Sequence, residues 1–374
     1  MSGNSCHKEF FPGGNTYKGF FSLYDSLLKK GRYRTFIFKG GPGTGKSTIM
    51  KKVGKALTLK GYKVEYYYCS SDTGSLDGIA VPGLGIVIVD GTAPHVIDPV
   101  IPGARDEIIN LGAYWKEEML KPYITEIKDL QDEITFCFNT AYHYLKEAWS
   151  AYRQWQFYYH QCTDQLKYKK TLEDLHYEIF DEVPSRETLS EEQHFFASAI
   201  TPDGLVNKYP LILSSISNFH LLLGDPGTGK SAMLKNIYDT GRQKGLKLEV
   251  YHCGFAPERL DALVLPEIST VVIKSTYPHN FSLSETHHIK KILTYDLSAG
   301  LDLQKVKALN SDINDVRERY WRLIGKAVKS IKKAKLNHDH LEDYYKKAQN
   351  YEALNKLAET LLHKILDYKY VEAI

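Results

Sequence analysis

The sequence predicts an α/β fold in two duplicated halves, each with a mostly parallel sheet followed by a helical hairpin. Three observations carry that prediction. "GGPGTGKST" at 40–48 returns as "GDPGTGKSA" at 224–232. Each copy stands between a short apolar run and a run with helical spacing. The segments downstream of the two copies align at one fixed offset.

The loops come first because they carry the chemistry. Gly40-Gly41-Pro42-Gly43-Thr44-Gly45-Lys46-Ser47-Thr48 and Gly224-Asp225-Pro226-Gly227-Thr228-Gly229-Lys230-Ser231-Ala232 both fit the phosphate-binding P-loop pattern, Walker A. Glycines let backbone N–H groups converge on phosphate oxygens. In this pattern Lys46 reaches the β- and γ-phosphates and the Ser47 hydroxyl reaches Mg²⁺. The helix that opens at the loop adds its positive N-terminal end. The pattern has meaning only between a buried strand and a helix. "RTFIFKG" (34–40) and "NFHLLLG" (218–224) supply the strands. Behind the loops, Ile49, Met50, Val53 and Leu57, then Met233, Leu234 and Ile237, recur at helical spacing, and Gly61 and Gly245 read as stops.

Gly224 follows Gly40 by 184 residues (224 − 40). At that offset "GYKVEYYYC" (61–69) lies over "GLKLEVYHC" (245–253), and "VIVDGTAPH" (87–95) over "VVIKSTYPH" (271–279). "EFFPGGNTYKG" (9–19) echoes "HFFASAITPDG" (194–204) one residue out of that register. The expected domains are 1–185 and 186–374, a length for each that suits an ordinary domain. Each half reads as a short strand, an amphipathic helix, the loop strand and helix, a second and a third strand, then helices. Strands alternating with helices imply a mostly parallel sheet covered on both faces, with ligand at the carboxyl ends of the strands.

The halves diverge at the third strand. "GIVIVD" ends in Asp90, where P-loop proteins carry an acidic Mg²⁺ ligand, and the alternative is a turn residue before Gly91. "TVVIK" puts Lys274 there, which opposes a metal ion and suits a phosphate. The first site therefore reads as complete and the second as altered. No glutamate follows Asp90, so a water-activating base must come from elsewhere. Asp72 and Asp77, after the second strand, are candidates. Arg105 in "PGARDE" is a candidate for stabilising phosphate charge, with a surface ion pair as the alternative. His95 and His279 repeat across the halves and read as structural. No guanine-type Asn-Lys-x-Asp motif occurs, so ATP is the expected nucleotide.

Residues 114–182 and 302–370 are rich in Tyr, Lys and Glu and poor in Gly and Pro, and read as helical hairpins. Arg322, Lys326, Lys329 and Lys333 share one helix face by spacing. Such a face suits a protein partner or an acidic ligand, or is simply solvated. The net charge of +3 falls far short of a nucleic-acid signature. Five cysteines, scattered and without C-x-x-C, fit a reducing compartment. "MSGNSCHKEFF" has no signal-peptide core, and no run approaches membrane-span length, so a cytoplasmic location without membrane attachment is expected. His338-Asp339-His340 and His287-His288 are weak metal hints.

With those residues in hand, the chain resembles an uncharacterised bacterial family of tandem P-loop proteins, labelled ATPase or nucleotide-kinase-like. "GGNTYKGF" (13–20), the two loops, "DGTAPHVIDPVIPGARDEIINLG" (90–112) and "FFASAITPDG" (195–204) carry the resemblance. It implies ATP binding and a duplicated P-loop fold, and no particular substrate. The expected function is a slow Mg²⁺-dependent ATPase with an active first site. A small-molecule or nucleotide kinase and a non-hydrolysing switch are the competing classes.

Overall fold

The computed structural model describes residues 7–31, 33–276 and 289–368. His279, His287 and His288 lie outside them. The first half runs β1 (Lys8–Phe10), β2 (Gly13–Thr16), β3 (Gly19–Ser22), α1 (Tyr24–Leu28), β4 (Arg34–Lys39), α2 (Lys46–Leu59), β5 (Glu65–Tyr68), β6 (Leu76–Val81), β7 (Ile86–Asp90) and β8 (Asp106–Asn110). Two helices, α3 (Ile124–Gln161) and α4 (Gln165–Phe180), lead to the second half. There follow β9 (Glu192–Phe196), β10 (Ser198–Thr201), β11 (Gly204–Asn207), α5 (Tyr209–Ile212), β12 (Asn218–Leu223), α6 (Lys230–Gln243), β13 (Leu248–His252), β14 (Leu260–Leu265), β15 (Thr270–Lys274) and β16 (Lys291–Asp296). α7 (Leu303–Ala308), α8 (Asn310–Ala348) and α9 (Tyr351–Asp367) follow β16.

The protein is α/β, with two six-stranded sheets of matching order: β1-β5-β6-β7-β4-β8 and β9-β13-β14-β15-β12-β16. Within each, five strands point one way and one, β6 or β14, runs against its neighbours. The loop strand β4 lies between β7 and β8, with Phe38 opposite Asp90; β12 likewise sets Leu222 opposite Lys274. The sequence reading lacked β6, β8 and their counterparts. Where it placed an amphipathic helix before the loop strand, the structure has a β2–β3 hairpin and the five-residue α1.

Alternation along the strands sorts the core into layers. Phe36, Phe38, Ile86 and Ile88 face α2, while Ile37, Val87 and Val89 face a core shared with Phe219, Val271 and Ile273 of the other sheet. Phe10 stacks on Phe195 at 4.5 Å in that shared core. Phe11 and Phe196 exchange both backbone hydrogen bonds, at 3.0 and 3.3 Å.

The helices do not form the two expected hairpins. α3 packs along α8, and their apolar stripes, including Leu145, Ala148 and Trp155 against Val316, Tyr320 and Ala327, build a separate core. The shorter helices then cross over. α4 buries Leu175, Ile179 and Phe180 against α6 and the second sheet. α9 buries Leu354, Leu361 and Ile365 against α2 and the first sheet. Each crossing helix opens with a side-chain cap, Asp164 or Asn350, accepting from backbone N–H groups of the first turn. Periodicity alone specified an apolar stripe on each helix, and a stripe does not name the surface that covers it.

Candidate functional site

Both loops connect the carboxyl end of a sheet strand to a helix, as their sequences require. Gly45 and Gly229 are the left-handed residues that turn the chain into α2 and α6, with φ of 84° and 103°. Inside the first loop the Thr44 hydroxyl donates to the Gly41 carbonyl at 2.8 Å, and inside the second Thr228 donates to Asp225 at 2.9 Å. Lys46 folds back over its loop, its Nζ donating to the carbonyls of Gly40 (2.6 Å) and Gly41 (2.9 Å). Lys230 does the same to Gly224 and, at 2.8 Å, to Asp225. Each lysine thus closes over the carbonyls of its own loop.

At the first site, Asp90 ends β7 beside the loop strand. Its Oδ2 is 3.4 Å from Lys46 Nζ, and its Oδ1 accepts from the Thr92 N–H (2.9 Å) and hydroxyl (2.5 Å). Ser47 accepts the Leu76 N–H at 2.9 Å. A second acid joins them: Asp77 lies on the antiparallel strand β6. Among the described residues Asp77, Asp90 and His95 offer ligand atoms all within 4.8 Å of one another. Burial pushes the Asp77 carboxyl above the usual carboxylate range; the nearby Asp90 charge adds to this, and His95, Tyr24 and Cys69 oppose it. His95 stacks on Tyr24 at 4.4 Å. The sequence reading named both Asp72 and Asp77, preferred Asp72 as the catalytic acid, and treated His95 as structural. Asp77 sits at a bulge of β6, where Tyr67 pairs with Gly78 and Tyr68 with Leu76, so regular strand alternation would not have placed it.

Asp72 remains at the same edge of the sheet but serves its own loop. Its carboxylate accepts from Gly74 N–H (3.2 Å) and Ser75 hydroxyl (2.8 Å) and meets Lys335 of α8 at 3.4 Å. Arg105 is a correction. It precedes β8, its carbonyl accepts from Thr35 at the start of β4, and its guanidinium pairs with Asp106 at 2.7 and 3.0 Å. The loop leaves the far end of β4, beyond Lys39, so Arg105 is at the opposite end of the sheet from the edge that carries the loop. Chain proximity to Asp90 concealed that, because the connection from β7 to β8 runs back along the sheet.

At the second site Lys274 takes the strand-end position. It is buried, and its Nζ pairs with Asp261 Oδ1 at 3.1 Å. Burial, reinforced by the Lys274 charge, pulls the Lys230 ammonium down to about 7. This loop opens into a cavity of about 860 Å³, bounded by the end of α3, the first turns of α8 and the ends of β12, β14 and β15. Sequence reading did not find this cavity, since its walls come from segments far apart in the chain.

Each loop also lies under a long helix. A Cβ on Gly43 would stand 2.9 Å from the Glu342 carbonyl of α8, and one on Gly227 would stand 2.3 Å from the Gln156 carbonyl of α3. Only glycine permits that approach. The basic face expected on α8 is exposed at Arg322, Lys326, Lys329 and Lys333, with Lys326 over the Tyr144 ring at 5.2 Å and Lys333 3.5 Å from Glu133, both partners on α3. His338 faces Glu342 at 3.6 Å, not a metal-type cluster. No described helix is long and apolar enough to cross a membrane. No protein-family model, no curated protein and no solved structure matches the chain.

Proposed function

We propose that the chain is a P-loop nucleoside triphosphatase of duplicated halves, with ATP and Mg²⁺ at the first loop and an altered second site. The observation that carries this reading is the convergence of Lys46, Ser47 and Asp90 at one sheet edge, with Lys46 3.4 Å from the Asp90 carboxylate. The donor set fits the ion. Oxygen ligands suit Mg²⁺, and Ser47 with Asp90 would hold it. A bound ion draws charge from the phosphates during transfer. Lys46 would leave the Gly40 and Gly41 carbonyls for the phosphate oxygens. Asp77, whose carboxyl burial pushes above the usual carboxylate range, and His95 stand beside Asp90, within reach of a group that exchanges a proton there.

The duplication is supported by the matching strand orders and by the reciprocal crossing of α4 and α9. A nucleotide-dependent switch is the second reading, favoured by the two long helices resting on the loops at Gly43 and Gly227. A kinase draws less support, since Arg105, assigned to its acceptor side, is at the far end of the sheet.

Phosphate release from ATP with Mg²⁺ tests the reading. The parent should turn over slowly without an added acceptor, and Lys46→Ala should lose at least tenfold. Equal release by parent and Lys46→Ala sinks the assignment, and tight nucleotide binding with no release selects the switch.

A further inference from the structure

The cavity at the second loop has three properties that together specify a ligand. Its charge is positive: among the described residues its walls carry Lys230, Lys274, Arg153, Arg259 and Arg317 against Asp225, Asp261 and Asp296, an excess of two (5 − 3). One of the carboxylates is already committed, since Asp261 pairs with Lys274. Two buried lysines near a single buried acid leave a charge that an anion would neutralise, and burying charge without a partner is costly.

Two residues of the cavity wall also carry buried polar atoms in need of partners. The indole Nε1 of Trp155 and the hydroxyl of Ser198 are buried and find no hydrogen-bond partner among the described residues. Trp155 is 6% exposed and Ser198 8%, and both line the cavity. Buried polar groups nearly always have partners, so orphans on a cavity wall point to a ligand. Tyr152, Phe255, Tyr320 and Trp321 add aromatic rings to a wall that also carries the aliphatic Ile200 and Leu205. Arg259 is fixed there, donating to Gln156 at 2.8 Å and lying 5.1 Å over the Trp149 ring. A volume of about 860 Å³ is within the range of pockets that enclose cofactor-sized molecules.

The third property is the position of Lys274. In the register of the sheet it stands where Asp90 stands in the first half. A metal ion there would meet an ammonium rather than a carboxylate.

We propose that this cavity takes a phosphorylated ligand bearing a planar ring, without a divalent cation, with Lys274 supplying the charge an ion would bring. The phosphates would rest on the second loop with Lys230 and Lys274. The ring would lie among the aromatic side chains, with polar edges on Trp155 and Ser198. This rests on the reading of the loops as phosphate binders and is independent of hydrolysis at the first.

Calorimetry on the full chain tests it, with ATP and inorganic tripolyphosphate as probes, each in EDTA and in Mg²⁺. ATP should bind in EDTA within about threefold of its affinity in Mg²⁺ at this site. Lys230→Ala should weaken the EDTA binding at least tenfold and Lys46→Ala should leave it. Trp155→Phe and Ser198→Ala should weaken ATP more than tripolyphosphate, which has no ring to place. Should Lys230→Ala fail to fold, quenching of indole emission by ATP in EDTA, lost in Trp155→Phe, locates the ligand. Binding that requires Mg²⁺, binding lost in Lys46→Ala and kept in Lys230→Ala, or no binding in EDTA overturns the proposal. Equal effects of Trp155→Phe on both probes overturn its ring. Phosphate release reports the first loop in a separate assay, so failure of either assignment is distinguishable from failure of the other.

Discussion

Leu361 on α9 and Leu175 on α4 allow the crossing of the short helices to be tested with one chemical change. Both are buried, Leu361 at 3% exposure and Leu175 at 0%. Leu361 packs with α2 and the first sheet, although it is near the end of the chain; Leu175 packs with α6 and the second sheet, although it precedes that half. Truncation to alanine removes three carbons, about 2.4 kcal/mol at about 0.8 kcal/mol per methylene. The cavity left behind adds on the order of 1 kcal/mol, and the sum falls within the usual range of roughly 2 to 5 kcal/mol for such changes. About 3 kcal/mol corresponds to roughly two decades in an opening equilibrium. Amide hydrogen exchange reads where that loss is felt. Leu361→Ala should lower protection in α2 by up to about a hundredfold and spare α6; Leu175→Ala should do the reverse. If Leu361→Ala loosens α6 while α2 keeps its protection, the crossing is refuted.

Two further outcomes follow from ionisable groups. Asp77 has its folded pKa raised by burial, so the native state holds its proton more tightly than the unfolded chain and stability falls as pH rises past the usual carboxylate range; Asp77→Asn should therefore raise the melting temperature at pH 8 and converge with the parent below about pH 4, and a lower melting temperature at pH 8 contradicts it. Lys230, held down to about 7 by burial and by Lys274, with Asp225 and Asp261 opposing, must be protonated to receive an anion; tripolyphosphate binding in EDTA should weaken up to about tenfold per pH unit above 7, whereas Lys230→Arg should keep a flatter profile, and parallel profiles would show that Lys230 does not control the site.

The loops, their strands and their helices were legible because each is local: glycines at fixed places, a short apolar run before, helical spacing after. Asp90 was legible for the same reason, as the end of "GIVIVD". What escaped is what depends on partners distant in the chain. β6 was hidden because "LDGIAV" carries a glycine and borders a proline, and only pairing with β5 and β7 makes it a strand. Asp77 was therefore passed over for Asp72 until β6 placed it beside Asp90. Arg105 was misplaced because a sequence gives distance along the chain and not the end of the sheet to which a connection returns. The crossing of α4 and α9 was beyond reach for a thermodynamic reason: apolar burial is non-directional, and either sheet offers a surface to cover.

That crossing changes what the two halves mean. The internal alignment led the sequence reading to divide the chain at 185/186, yet neither stretch contains a complete set of layers. Residues 1–185 hold the first sheet and α2 but not α9, whose Leu354, Leu361 and Ile365 close the outer core around Phe36, Ile79 and Ile88. Residues 186–374 lack α4, whose Leu175, Ile179 and Phe180 do the same around Leu263 and Val272. The inner faces meet in one shared core, and α3 and α8 share another. The same geometry reaches the loops. α8 lines the second cavity at Arg317 and Tyr320 and rests on the first loop at Glu342. Those points are 25 residues apart (342 − 317) on one uninterrupted helix, about 37 Å at 1.5 Å per residue. α8 is therefore one packed rod that touches both loops, through the cavity wall near its start and at Gly43 near its end.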